Sequence, residues 1–293
     1  MFAVLGSSGY VGSYFRGLLT QEGIPWKGIP RGDLYDSDRL RLALREAGAT
    51  FVINCAGYTG KPNVDACELH KTECLLGNGV LPGMVRVVCE SLDLPWGHVS
   101  SGCIFTGRRS DGEGFTEEDP PNFSFRQNNC SFYSGTKALG EELLQGADRC
   151  YIWRLRIPFE HTANPRNYLQ KVMTYHTLLE AENSLSQLEE FVRACVDSYR
   201  LQIPYGIYNM TNPGSIRTSE VVELIREVGV SRKDFRFFNN EAEFMQLAAK
   251  TPRSNCVLDC SKALAAGLKL TPIRQALRQS LERWTTQAAG KGC

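Results

Sequence analysis

Phe2-Ala-Val-Leu5 runs directly into Gly6-Ser7-Ser8-Gly9-Tyr10-Val11-Gly12. Four apolar residues followed by three glycines read as a short buried strand, a tight turn and the opening of a helix. Glycine lets the backbone turn sharply and approach a ligand closely. The helix N-terminus beyond it favours the negative charge of a pyrophosphate. The spacing differs from the usual G-x-G-x-x-G fingerprint, so the motif alone leaves open a plain glycine-rich connection.

Outward from this turn, strands alternate with helices. Residues 26–29 read as a second strand and 36–47 as a helix with Leu40 and Leu44 on one face. Phe51-Val-Ile-Asn-Cys55 is a buried strand that ends in Ala56-Gly57, where a turn is needed. A helix over 75–92, a strand over 96–100, a helix over 133–144 and a strand over 150–155 follow. The intervening 107–129 segment is rich in Gly, Pro, Asn and charge, and reads as a long loop bordering a pocket. This alternation predicts an α/β fold, a Rossmann-like doubly wound parallel sheet with helices on both faces. Residues 1–158 are expected to be mainly the dinucleotide-binding domain. Residues 159–293, with helices expected over 168–179, 188–199, 219–228, 241–249 and 272–284, are expected to be mainly a smaller C-terminal substrate lobe. A strand is expected over 205–209, and some segments of this half would return to the first domain. Residues 287–293 read as a frayed end.

Composition narrows the function classes. Lys plus Arg is 33 against 32 for Asp plus Glu. No whole-chain field therefore draws the protein to nucleic acid or to an anionic membrane. No run of 18 apolar residues is present, so no membrane span is expected. Without a recognisable secretory signal, the 11 cysteines read as reduced thiols in a cytoplasmic protein. Cys67 and Cys74, like Cys256 and Cys260, lack zinc-knuckle spacing, and His70, His98, His161 and His176 form no metal pattern. No metal is expected.

Tyr133 and Lys137 stand four apart on a predicted helix and share a face. An ammonium beside a phenol favours the phenolate, which lowers the tyrosine pKa and eases proton donation to an oxygen gaining charge. Ser101, at a strand end, can hydrogen-bond the same carbonyl. At the nucleotide end, Arg31 and Lys27 can pair with a ribose 2′-phosphate, and no acidic residue closes the second strand. That favours NADPH, with NADH as the alternative.

With these residues the chain resembles the extended short-chain dehydrogenases/reductases. It is similar to the dTDP-4-dehydrorhamnose reductases, and more closely to the UDP-4-keto-6-deoxy-glucose 3,5-epimerase/4-reductases that make UDP-L-rhamnose. The supporting stretches include Gly6 to Gly12, Asn54-Cys-Ala-Gly57, Ser101-Gly-Cys-Ile-Phe105, Phe132-Tyr-Ser-Gly-Thr-Lys137, Asn164-Pro-Arg-Asn167, Thr211-Asn-Pro-Gly214 and Pro252-Arg-Ser-Asn255. Three positions depart from the family pattern. Ser101 stands where the closest relatives have Thr, Cys55 replaces an alanine, and Gly77-Asn78 replaces Thr-Asn.

The resemblance implies that Tyr133 protonates the sugar O4 as hydride reaches C4, that Lys137 orients the nicotinamide ribose, and that Ser101 assists. It also implies that Cys103 and Lys171 perform the epimerisation. A C4 ketone acidifies the C3 and C5 protons, a thiol can be tuned to take one, and an amine opposite can return it. The expected cofactor contacts are Gly6, Ser8, Gly9, Tyr10, Val11, Gly12, Arg31, Asp33, Leu34, Cys55, Ala56, Gly57, Tyr133 and Lys137. The expected substrate contacts are Ser101, Cys103, Arg166, Asn167, Lys171, Arg217 and Arg253, where arginine suits diphosphate oxygens. The implied activity converts UDP-4-keto-6-deoxy-D-glucose to UDP-L-rhamnose. The alternatives are a dTDP-4-dehydrorhamnose reductase or another nucleotide-sugar 4-ketoreductase without epimerase activity, and a catalytically silent NADP(H)-binding regulator. A homodimer through the 75–92 helix is a further implication.

Overall fold

The computed structural model describes residues 1–61 and 63–290. Pro62, and residues 291–293 of the expected frayed end, lie outside the described residues. Along the chain the elements run β1 (Phe2–Leu5), α1 (Tyr10–Gln21), β2 (Trp26–Ile29), α2 (Ser37–Glu46), β3 (Phe51–Asn54), α3 (Lys71–Leu75), α4 (Leu81–Ser91), β4 (Trp96–Ser101), α5 (Phe132–Leu143) and β5 (Cys150–Leu155). They continue as β6 (Pro158–Phe159), α6 (Tyr168–Thr174), β7 (Thr177–Leu178), β8 (Glu182–Asn183), β9 (Ser186–Gln187), α7 (Leu188–Arg200) and β10 (Gly206–Asn209). Last come β11 (Ile216–Arg217), α8 (Thr218–Val228), β12 (Arg236–Phe237), α9 (Glu241–Leu247), α10 (Ser261–Ala265) and α11 (Ile273–Gly290).

Six strands form one sheet in the order β2-β1-β3-β4-β5-β10, parallel throughout. β1 and β3 are buried at every residue, as strands covered on both faces must be. On one face Phe15 and Leu19 of α1 and Phe191 and Cys195 of α7 pack with Phe51 and Trp153. On the other, Leu40 and Leu44 of α2 and Leu81, Val85 and Val88 of α4 cover Ala3, Val52 and Trp96. Gly97 in β4 has to be glycine, because a Cβ there would stand 1.9 Å from the Trp153 ring. Phe159, Leu169, Val222, Ile225 and Leu277 build a separate core beyond the sheet.

The expected α/β class is the one observed. β10, from the second half of the chain, completes the sheet edge by pairing with β5. The strand order reverses between β1 and β3. A crevice therefore opens beyond their carboxyl ends, at Leu5 and Asn54, which is where doubly wound sheets hold ligands.

Two helices differ from expectation. The one expected over 75–92 begins at Lys71 and passes through a π-helical turn, Leu76–Val80, before α4. The helix expected over 168–179 stops at Thr174, because Tyr175 turns extended and β7 then pairs with β12.

Candidate active site

The glycine turn is shaped by close approach. Gly6 has φ +79°, and a Cβ on it would lie 2.7 Å from the Ala56 backbone. One on Gly12 would lie 2.1 Å from the Gly6 carbonyl oxygen. α1 starts at Gly9 with no side-chain cap, which leaves its first N–H groups for an anion. Ser8 is exposed, and Val11 lines the apolar side of α1. Cys55 donates its thiol to the Leu5 carbonyl at 3.0 Å, and burial pushes that thiol up to about 12. It is a packing residue with a protonated sulfur. Gly57 approaches Asn78, whose Oδ1 would be 2.9 Å from an added Cβ.

Arg31 is exposed and shares with Asp33 the 3-10 turn that follows β2. Two neighbours depart from the expected contacts. Leu34 is buried in the sheet core, so its side chain serves packing. The Tyr10 ring packs edge-on against Tyr14, and its phenol is pushed far up by burial and by Glu160.

Ser101, Tyr133, Lys137 and Cys103 come together at the carboxyl end of β4. Ser131 caps α5 by accepting from Ser134 N, so α5 starts one residue before Tyr133. Lys137, one turn on, is buried and donates to the Val99 carbonyl at 3.2 Å. Ser101 accepts from Cys103 N at 3.2 Å and caps the 3-10 turn Gly102–Ile104. This turn folds the Cys103 thiol back toward Ser101 and Ser134.

The electrostatics correct the expectation that Lys137 lowers the Tyr133 pKa. Burial, then the Cys103 thiol, drive the phenol well above its ordinary value, against a Ser101 hydrogen bond that pulls it down. Tyr133 is a protonated donor. Cys103 is likewise raised by burial rather than lowered, with Ser101, Ser134, Arg156 and Lys137 opposing the rise. Burial also pulls Lys137 below its ordinary value, while Cys103 and Glu141 raise it. His98 lies in the same layer with Asn54 Nδ2 3.1 Å from its Nδ1. Burial, then Lys137, hold it neutral.

Behind the cluster Asn78 acts as a clamp. Its Oδ1 accepts from Tyr58 N at 2.9 Å, and its Nδ2 donates to Tyr58 O at 2.8 Å and to Thr136 Oγ1 at 3.3 Å. It ties the loop after β3 to α5. Beneath, Arg154 makes a buried fork to Glu141 at 2.8–3.1 Å, and Ser100 also bonds that carboxylate. Sequence reading missed both groups, although an asparagine between two glycines in a helical pattern was the available signal for the first.

A second group is cationic. Burial, then Arg166 and Arg253, lower the Lys171 ammonium below its ordinary value, so the three charges face one region. Arg166 bonds Thr59 and reaches the Gly60 carbonyl, and Arg253 forks onto Asp65 at 2.7 Å. Two residues expected with them belong elsewhere. Asn167 is fully buried and caps α6: its Oδ1 accepts from Leu169 N and Glu160 N, and its Nδ2 donates to the Glu160 and Thr162 carbonyls. No polar atom of its side chain is left for a substrate, so it positions α6 and hence Lys171. Arg217 caps α8 on the surface and faces Glu180 at 3.9 Å, outside this cluster.

Among the described residues no group of three His, Cys, Asp or Glu is placed to hold a metal ion, and no helix is long and apolar enough to cross a membrane. The cysteines among them are free thiols.

Residues 1–286 match the family model described as RmlD substrate binding domain. The chain is 33% identical over 281 residues to a trifunctional UDP-glucose 4,6-dehydratase/UDP-4-keto-6-deoxy-D-glucose 3,5-epimerase/UDP-4-keto-L-rhamnose-reductase of Arabidopsis thaliana. That alignment takes in 94% of this chain and spans only 41% of the plant protein's length. A bifunctional dTDP-4-dehydrorhamnose 3,5-epimerase/dTDP-4-dehydrorhamnose reductase of the same plant is 32% identical over 281 residues, 94% of this chain and 90% of that protein. In three dimensions the chain is similar to the L780 UDP-rhamnose synthase of Acanthamoeba polyphaga mimivirus, with a TM-score of 0.88, 25% identity, and coverage of 96% of this chain and 98% of that one.

Proposed function

Because the chain belongs to the RmlD substrate-binding domain family, we propose that it is an NADPH-dependent nucleotide-sugar 4-ketoreductase that also inverts C3 and C5, converting UDP-4-keto-6-deoxy-D-glucose to UDP-L-rhamnose. The observation that carries this reading is the gathering of Ser101, Tyr133, Lys137 and Cys103 at the end of β4. The residues present fit a dinucleotide: the Gly6 to Gly12 turn folds so tightly on itself and on Ala56 that no Cβ fits at Gly6 or Gly12, and the uncapped start of α1 opens from it. When bound, the reduced nicotinamide supplies the hydride that C4 accepts.

This chain's own groups do the rest. The Cys103 thiolate removes a proton from carbon beside the C4 ketone, and the electron pair moves onto O4 as an enolate. The Lys171 ammonium returns a proton to the other face, which inverts the centre, and proton exchange with water restores the thiolate and the ammonium before the second centre reacts. Once both centres are inverted, the Tyr133 hydroxyl gives its proton to O4, and Ser101 holds that oxygen by a hydrogen bond. Arg166 and Arg253 bind the diphosphate. Arg31 selects the 2′-phosphate of NADPH over NADH.

The test combines purified protein with NADPH and UDP- or dTDP-linked 4-keto-6-deoxyglucose. Cofactor oxidation is followed by absorbance and product stereochemistry by NMR. UDP-L-rhamnose is the expected product, and no cofactor oxidation with either sugar overturns the reading. A second reading, reduction without inversion, is favoured by the burial that raises Cys103. Under it Cys103→Ala leaves the product unchanged.

A further inference from the structure

Arg156 is buried, and its position is fixed from both ends. Nη2 donates to Asn183 Oδ1 and to the Ser254 carbonyl, both at 2.5 Å, and its own backbone N–H donates to Ser186 Oγ at 3.1 Å. Its Nε has no hydrogen-bond partner among the described residues. No carboxylate among them pairs with it, whereas neighbouring Arg154 has Glu141. A buried cation without a counter-charge is costly to keep, so its retention calls for a function. The next residue, Ile157, sits at φ +36°, where a β-branched residue is strained. Such strain collects at functional sites.

The stem of Arg156 runs beside the Gly102 turn, 3.3 Å from where a Gly102 Cβ would be, and Cys103 is the next residue. We propose that Arg156 is the positioning residue that makes Cys103 a base, its unpaired guanidinium holding the thiolate that takes the C3 and C5 protons. This rests on the epimerase reading above. The other charged or titratable groups around the thiol are Tyr133 and Lys137 from α5, Cys67 from the 3-10 turn before α3, Cys130 from the loop before α5, and Cys256 between α9 and α10, whose thiol donates to the Gly102 carbonyl at 3.2 Å and also feels Arg156. Cys67, Cys130 and Cys256 bring no positive charge. Lys137, the other cation acting on Cys103, is already committed to the Val99 carbonyl at 3.2 Å. Ser101 and Ser134 stabilise the thiolate by hydrogen bonds, but they bring no counter-charge.

Two measurements test this on the full chain. The first follows iodoacetamide labelling of the Cys103 peptide by mass spectrometry across pH, in wild type, Arg156→Gln and Arg156→Lys. Loss of the cation should move the Arg156→Gln curve up by about one pH unit, or roughly tenfold slower labelling below the midpoint. Arg156→Lys should restore most of the shift. A misfolded fraction frees the thiol from burial and labels faster, opposite to the expected slowing, and an unmoved midpoint in Arg156→Gln overturns the inference. The second measures deuterium incorporation at C3 and C5 of the keto sugar in D₂O without cofactor, where the same upward shift is expected. If wild type incorporates none while the labelling curve still moves, the epimerase reading falls and the Arg156–Cys103 coupling stands.

Discussion

Tyr133 and Cys103 place opposite demands on one apolar pocket: the phenol has to keep its proton and the thiol has to lose one. Burial favours the neutral form of both, which suits Tyr133 as a donor and leaves Cys103 dependent on nearby cations. Tyr133→Phe removes the donor and leaves the ring in place. Turnover in the cofactor-oxidation assay should fall on the order of 10²- to 10⁴-fold, with NADPH binding by fluorescence titration retained. Lys171 carries a different cost. Its folded pKa is lowered by burial and by Arg166 and Arg253, so the folded state binds that proton less tightly than the unfolded chain does. The penalty is full below the folded value and fades as pH rises toward the ordinary value of about 10.4. Lys171→Met should therefore melt higher than wild type near about pH 7 by thermal denaturation, and the gap should close as pH approaches about 10. Which residues were legible follows from what each does. Ser101, Tyr133 and Lys137, which the structure brings together, could be picked out because the chemistry expected of them needs a fixed spacing. Asn167 was misassigned because a helix cap and a sugar ligand ask for the same amide. Arg156 was missed because nothing in the sequence separates a buried unpaired arginine from Arg154 two residues earlier, which has Glu141.

At the scale of elements, periodicity carried most of the fold. β1, β3, β4 and β5 are short apolar runs closed by turns, and α1, α2, α4 and α7 keep their apolar residues on the faces that meet the sheet. Periodicity fails where an element is too short to have a period. β6, β7, β8, β9, β11 and β12 have two residues each. It fails again at Leu76–Val80, where Asn78 turns inward to hold Tyr58 and the helix widens to a π turn around it. Gly97 shows an element shaped by its neighbour rather than by its own propensity. Gly97→Ala keeps the strand dihedrals but drives a methyl into the Trp153 ring. The cost should be about 1–3 kcal/mol of overpacking, read as a lower urea midpoint with unchanged slope. Trp153→Phe in the same background should recover part of it.

Over the whole molecule the two halves of the chain are interleaved. β10 joins the sheet through β5, Asn209 Nδ2 donates to the Phe115 carbonyl, and Arg253 reaches back to Asp65. The cationic cluster exists only when distant segments meet, which is why single residues such as Arg217 were easy to misplace from sequence. One surface remains apolar. Leu76, Val80 and Val87 lie at helical spacing along the π turn and α4, all exposed, with Met84 between them partly covered. Leu143 at the end of α5 is also exposed and lies against Gly83, within 3.4 Å of where its Cβ would be. A stripe across two adjacent helices suits the same stripe on a second copy, because an isologous contact repeats each residue on both sides. We expect a homodimer through this face, with the active-site end of the sheet left open. Light scattering should give the mass of two chains for wild type, and Val87→Glu, which buries two carboxylates at the contact, should give one. Wild type at the mass of a single chain would show instead that these side chains only cap the helix layer. If the dimer forms, the melting temperature of wild type should rise with protein concentration, and Val87→Glu should lower it and remove that dependence, since folding and association are then linked.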